Sequence, residues 1–252
     1  INDKNESEYV WGCQGSTGVC AEGNGITQSG CLSVINQESW FQVNNGNITV
    51  NGKVINYVPV TTCNSEKINC STTVKSGNLY SKSNSSLSGF DRAEKKEEAN
   101  FDFEVFPYSK LKKSFFDTKG VGSTFAASTD WLEIKNTGGI VFIDGDLDIT
   151  GENLETTALV MIIAKGTITI DPSVTRVDAI LVANRVVADG EAESQLVING
   201  MVHGISGVRF SRSLTPKSLN NSTPSVVVNY NPKLLFMIPV ELSRIFDQWR
   251  IN

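Results

Sequence analysis

Apolar and polar positions alternate by twos, or run continuously apolar, in four short segments between Gly139 and Gly207. They read VFIDGDLDI (141–149), MIIAKGTITI (161–170), ILVANRVVA (180–188) and LVINGMVHGI (196–205). Each is a strand, a glycine or polar corner and a second strand, with corners at Gly145, Gly166, Arg185 and Gly200. A helix would need apolar residues at a 3.6-residue period, whereas period-two alternation rich in β-branched residues predicts strands. A unit this short cannot bury its own apolar face and must stack on neighbouring copies. The pattern therefore predicts an all-β fold, a β-solenoid (β-helix), with its main body over residues 137–232.

Strand-like segments begin earlier. WFQV follows Ser39, NITV follows Asn45-Gly46, and KVINYVPV follows Asn51-Gly52, the Asn-Gly pairs supplying positive-φ corners. TVKSGNLYS (73–81) has a similar form, so residues 40–90 read as first solenoid strands carrying a loop between Cys63 and Cys70. Residues 1–39 are glycine-rich, contain cysteines and lack periodicity, which predicts an irregular entry segment. Residues 91–136 break the strand pattern. Ala93–Ala99 holds helix formers, and Leu111, Phe115 and Phe116 share a helical face, predicting a small helical insertion lying against the solenoid. Phe101, Phe103, Phe106 and Tyr108 read as packing beneath that insertion rather than as a ligand site. In residues 233–252, Glu241–Arg250 forms an amphipathic pattern with Leu242, Ile245, Phe246 and Trp249 on one side. An open solenoid end exposes unpaired strand edges, so this segment is expected to be a C-terminal capping helix, or equally a docking helix for the next subunit.

Composition narrows the setting. Charge is 19%, the net charge is −5 and histidine occurs once, which argues against a nucleic-acid partner. No apolar run approaches the ~18 residues of a membrane span; the longest is Leu234–Val240. The chain begins at Ile1, which suggests a processed or excised piece. Five cysteines are present. Cys13 and Cys20, and likewise Cys63 and Cys70, flank short polar stretches that suit disulfide-closed loops in an oxidising compartment, leaving Cys31 over. Free thiols and zinc are the competing readings, although zinc pairs are usually spaced more closely. Six N-x-S/T sequons, at Asn5, Asn47, Asn69, Asn84, Asn220 and Asn221, are glycosylation candidates in an exported chain. Together these features predict an extracellular or cell-surface location.

Candidate chemistry centres on DGDLDITGENLE (144–155). Asp144, Asp146 and Asp148 alternate and Glu155 stands twelfth, as in an EF-hand loop, yet Ile149 occupies the position that needs glycine. A strand explains the spacing better, with Val141, Ile143, Leu147 and Ile149 facing inward and the aspartates outward. Three like charges on one face are solvated or bind a cation, and calcium is the ion they would suit; no other cofactor is expected. The same aspartates with Lys165 or Arg185 would be the candidates for glycan hydrolysis or lyase chemistry, but no repeated charged cluster appears at the corners. His203 reads as a packed or turn histidine rather than a base. Trp11, Trp40, Trp131 and Trp249 would stack on sugars if exposed, but Trp40 and Trp131 flank strands and read as core edge.

GGIVFIDGDLDITGE (138–152) and the short strand repeats after it resemble the β-repeat regions of bacterial pilus-assembly and polymer-forming surface proteins, including bactofilin-like solenoids. SWFQVNNGNITVNGKVINYVP (39–59), TDWL (129–132) and VVVNYNPKLL (226–235) resemble large exported proteins of ultrasmall candidate-phyla bacteria. The resemblance covers about two-thirds of the chain and implies a non-catalytic envelope role with no catalytic residues to transfer. Plain bactofilins are intracellular, and the cysteine loops and the 91–117 insertion depart from them. The expectation is a structural or adhesive, non-enzymatic module of a cell-surface or pilus-like assembly. Its partners would be other copies of itself or other assembly subunits. A glycan-binding module is the alternative, and a polysaccharide lyase or hydrolase a more remote one.

Overall fold

The computed structural model describes residues 39–50, 107–158 and 160–233, with the backbone of several short strands elsewhere. The chain is a parallel β-solenoid of about four turns. Face one stacks Ser123–Ala126, Gly139–Asp144, Val160–Ala164, Ile180–Ala183 and Met201–Gly204; face two stacks Leu147–Ile149, Thr167–Ile170, Arg185–Ala188 and Val208–Phe210. Face three stacks Arg176–Val177, Leu196–Asn199, Val226–Asn229, Phe41–Asn44 and Val74–Lys75. Glu191–Ala192 and Ser213–Leu214 add a short fourth side.

Alternation places the core. On face two Leu147, Ile168 and Val186 stack inward while Asp148 and Thr169 point out. Leu147, Ile168, Val186 and Val208 are register partners, so the rungs advance by 21, 18 and 22 residues. This corrects the phase of the fourth predicted repeat. Gly200 turns from face three to face one; the corner equivalent to Gly145 and Gly166 lies at Asn184 and then Ser206, joined by Gly166 N–H to Gly145 O, Asn184 N–H to Gly166 O and Ser206 N–H to Asn184 O.

Face one is buried on both sides, which explains its continuous apolar runs. Val141, Ile162 and Leu181 point into the solenoid, while Ile140, Phe142, Met161, Ile163, Ile180 and Val182 form an outer cluster. That outer face is covered by a helix at Tyr108–Lys112 running into a π-helical turn at Lys113–Asp117, which buries Leu111 and Phe115. The Phe142 ring meets Tyr108, Phe115 and Phe116 edge-on at 6.1, 6.3 and 6.4 Å.

The first end of the solenoid is plugged by the helix Trp131–Thr137. Asp130 caps it by accepting from Leu132 N–H at 2.7 Å, and it ends at Gly138 and Gly139, with φ of 63° and 67°. Its Trp131 and Ile134 enter the inner core, and Trp131 Nε1 donates to Glu152 O at 3.1 Å. The capping helix expected at 241–250 lies outside the described residues.

The other end holds an arrangement with no counterpart in the chain order. Phe41–Asn44 pairs in parallel with Val226–Asn229, so residues near 40 follow residue 229 in the stack. Trp40 is 1% exposed; its Nε1 donates to Asn220 O at 2.9 Å, and its own carbonyl accepts from Ser225 N–H and Oγ–H at 2.8 and 3.0 Å. Asn45 turns the following corner with φ 57°, as the Asn-Gly pair predicts. Asn56 reaches back to Phe41, accepting from its N–H and donating to its carbonyl.

Candidate functional surfaces

Stacking strands in register places side chains of successive rungs about 4.8 Å apart, and at the corners this chain uses the proximity for polar ladders. The longest climbs the corner between face three and face one. Asp178 accepts from Asn199 Nδ2 at 2.6 Å, Asn199 Oδ1 from Asn229 Nδ2 at 2.9 Å, and Asn229 Oδ1 from Asn44 Nδ2 at 2.8 Å. Every amide donates in the same direction along the axis. Asp178 anchors the column: Arg176 Nε and Nη2 donate to its two oxygens at 2.9 and 3.0 Å, and Thr156 N–H adds a bond at 3.1 Å. Burial pushes the Asp178 carboxyl up, but the donors from Arg176, Asn199 and Thr156 outweigh it and hold the group below the usual carboxylate value.

At the corner between faces one and two, Asp144 pairs with Lys165 at 3.0 Å, and that hydrogen bond and charge hold Asp144 below its ordinary value. Asp146 accepts from Thr167 N–H at 2.6 Å, and Asn184 Oδ1 accepts from Ser206 Oγ at 2.6 Å. Gly166 makes room for this contact, since a β-carbon there would sit 2.0 Å from Asp146 Oδ1. A third column joins Asn153 to Thr175, with Asn153 Oδ1 accepting from Thr175 N–H at 2.8 Å.

One arginine lies inside. Arg212 is 0% exposed and donates to Val174 O and Asp171 O at 2.7 and 2.6 Å, reaching back along the stack by 38 and 41 residues. Burial lowers its guanidinium to about 10, against the raising effect of Asp171. Nothing in the local sequence marks Arg212 as interior.

The structure distributes the sequence-predicted residues rather than converging them. Asp144 ends a face-one strand, Asp146 caps the corner and Asp148 lies on the outer side of face two, so the three carboxylates have separate surroundings. Among the described residues no group of three His, Cys, Asp or Glu side chains is placed to hold a metal ion. Asp148, Thr169, Asp171 and Asp189 line a shallow hollow of about 260 Å³, where Asp171 accepts from Ser173 and Asp189 pairs with Arg209. Lys112, Phe125 and Asp144 line another, of about 320 Å³. Arg185 is exposed opposite Thr167. His203 continues the outer column of Val182 on face one, where burial lowers its pKa.

Trp40 and Trp131 are core residues, and among the described residues no aromatic ring is exposed. Asn220 was expected at the surface as a glycosylation candidate; it is instead fully buried, its Oδ1 accepting from Leu214 N–H at 3.0 Å and its Nδ2 donating to Ser213 Oγ at 3.1 Å. A glycan cannot occupy that amide in this fold. Asn47 is exposed. Asn5, Asn69 and Asn84, the side chain of Asn221, and Trp11 and Trp249 lie outside what is described. So do Cys31, Cys63 and Cys70. The backbones at Cys13 and Cys20 are register partners in a two-stranded antiparallel ladder.

Comparison with protein-family models, with curated proteins and with solved structures finds no match.

Proposed function

We propose that this chain is a structural or adhesive, non-catalytic module of an extracellular cell-surface or pilus-like assembly. The observation that carries the reading is the use to which its polar side chains are put. Asp178, Asn199, Asn229 and Asn44 form one continuous hydrogen-bonded column, and Asp144–Lys165, Asn184–Ser206 and Asn153–Thr175 bind adjacent rungs to one another. Such ladders fasten rung to rung and supply rigidity along the axis. Among the described residues the aromatic rings are buried or half-buried, and none is exposed as a sugar platform would need. The sequons other than Asn220 and the spacing of the cysteines support an exported setting. Among the described residues no helix is long and apolar enough to cross a membrane.

Electron microscopy of the undenatured protein from its native source tests the reading. Regular filaments or a lattice are expected. Discrete monomers that cleave an anionic polysaccharide would overturn it.

A further inference from the structure

The stack and the chain disagree about order, and the disagreement has a simple resolution between copies. Phe41–Asn44 occupies the level after Val226–Asn229 and is followed by Val74–Lys75 toward one end of the solenoid, whereas Ser123–Ala126 is the outermost described strand of face one at the other end. The chain must therefore return from Lys95–Lys96, toward the one end, to Ser123 at the other. Within one molecule that return passes the levels of Leu79–Ser81 and Ile48–Val50 and then those of Met201–Gly204, Ile180–Ala183, Val160–Ala164 and Gly139–Asp144, roughly 35 Å at ~4.8 Å per strand. If Phe41–Asn44 and the strands stacked beyond it, to Lys95–Lys96, were laid instead on the Val226–Asn229 strand of a neighbour, the chain would continue from them into its own Ser123–Ala126 strand. The rungs would then follow in sequence order from one copy to the next.

The contacts at the junction are the same in both arrangements. Trp40 would bond the neighbour's Asn220 and Ser225 as it now bonds its own, and Asn44 would extend the neighbour's amide column through Asn229. The free-energy difference is then confined to the cost of the connection and to concentration.

We propose that the Trp40–Asn44 segment, with the strands stacked beyond it, is exchangeable: it extends its own solenoid in the isolated molecule and the solenoid of a second copy in a head-to-tail chain. This rests on the structural reading above and names its partner. A head-to-tail contact does not close on itself, so exchange generates linear polymers rather than a defined dimer. Among the described residues the Ser123–Ala126 strand pairs on one side only, so its other edge can receive the earlier strands of its own chain once they sit on the neighbour.

Gln42 and Val227 are register partners across the junction, and parallel neighbours lie within disulfide range. Full-length chains carrying Gln42→Cys alone and Val227→Cys alone are refolded together under mild oxidation, with the unsubstituted chain as the blank for its native cysteines. The expected result is a covalent dimer whose linked peptides, by mass spectrometry, join residue 42 of one chain to residue 227 of the other. The yield should rise with protein concentration. The double variant should give a ladder of linked oligomers, and any intrachain link it forms shows that the substituted junction still assembles. Asn44→Cys with Asn229→Cys provides a second pair. Links found only within single chains, or no interchain link with either pair, overturn the exchange. Filaments seen by microscopy in that case would leave the structural reading standing.

Discussion

Replacing Asn229 by alanine interrupts the amide column at its middle. The substitution removes the bond from Asn229 Nδ2 to Asn199 Oδ1 and the bond from Asn44 Nδ2 to Asn229 Oδ1. Each neutral amide bond contributes about 1 kcal/mol net, and a group left unpaired when buried costs about 1–3 kcal/mol more. Asn44 and Asn199 are half-buried, so water recovers part of that second cost, and the expected loss is about 2–3 kcal/mol. Urea unfolding followed by circular dichroism should show the midpoint fall by roughly 1 M at unchanged slope. In thermal unfolding the same loss lowers Tm by roughly 5–10 °C. Asn44→Ala removes a single bond of the column and should cost about half as much. The double variant should then be less destabilised than the sum of the singles by about 1 kcal/mol, because the bond they share is lost only once. A loss below about 0.5 kcal/mol for Asn229→Ala, or strict additivity in the cycle, would refute the claim that the column fastens the rungs.

Three further outcomes are expected. Phe115→Ala removes a fully buried ring from the cover of face one and should cost about 3–5 kcal/mol, with dye binding reporting the newly exposed face around Ile163 and Val182. Gly204→Ala places a β-carbon 2.2 Å from the backbone oxygen of Gly207, a collision no side-chain rotation relieves, and should cost at least about 2 kcal/mol in a denaturant titration. His203 is the single histidine, and burial lowers its pKa below 6.5 in the folded state. The unfolded chain therefore binds the proton more readily, so stability is full above the unfolded pKa and declines as pH falls through about 6.5 towards the folded value. Unfolding midpoints measured between pH 7.5 and 5 should show this decline, and His203→Val should flatten it.

The strands from Val141 to Ala188 were legible because their apolar positions are set by burial, which is written residue by residue. The same runs on face one carried a second message: Met161 and Ile163 are apolar because a helical cover lies outside them, and the spacing of Leu111 and Phe115 announced that cover. Phase was less legible. Gly200 resembles Gly145 in sequence, but a solenoid has several corners per turn and a glycine does not say which one it turns. The amide column was not legible at all, since Asp178, Asn199, Asn229 and Asn44 are brought together only by register, and their separations share no period. Asn220 shows the limit of a three-letter motif, which records what an enzyme would accept and nothing of whether the amide is already bonded. The placement of Phe41–Asn44 after Asn229 is equally silent, because any inward-facing Val or Phe would suit several neighbours. Asp144, Asp146 and Asp148 looked like one acidic row, but the corner at Gly145 falls among them, so Asp144 pairs with Lys165, Asp146 with Thr167 N–H, and Asp148 lies on face two.

Trp40 and Asn229 lie at adjacent strands of face three although 189 positions separate them in the chain. A pull applied between these two points therefore never stretches the rod. It falls on the bonds between Phe41–Asn44 and Val226–Asn229 and on the Trp40 contacts to Asn220 and Ser225, while the rungs between Gly139 and Asn199 carry no load. The molecule would yield at that one junction first and keep the rest of its stack intact.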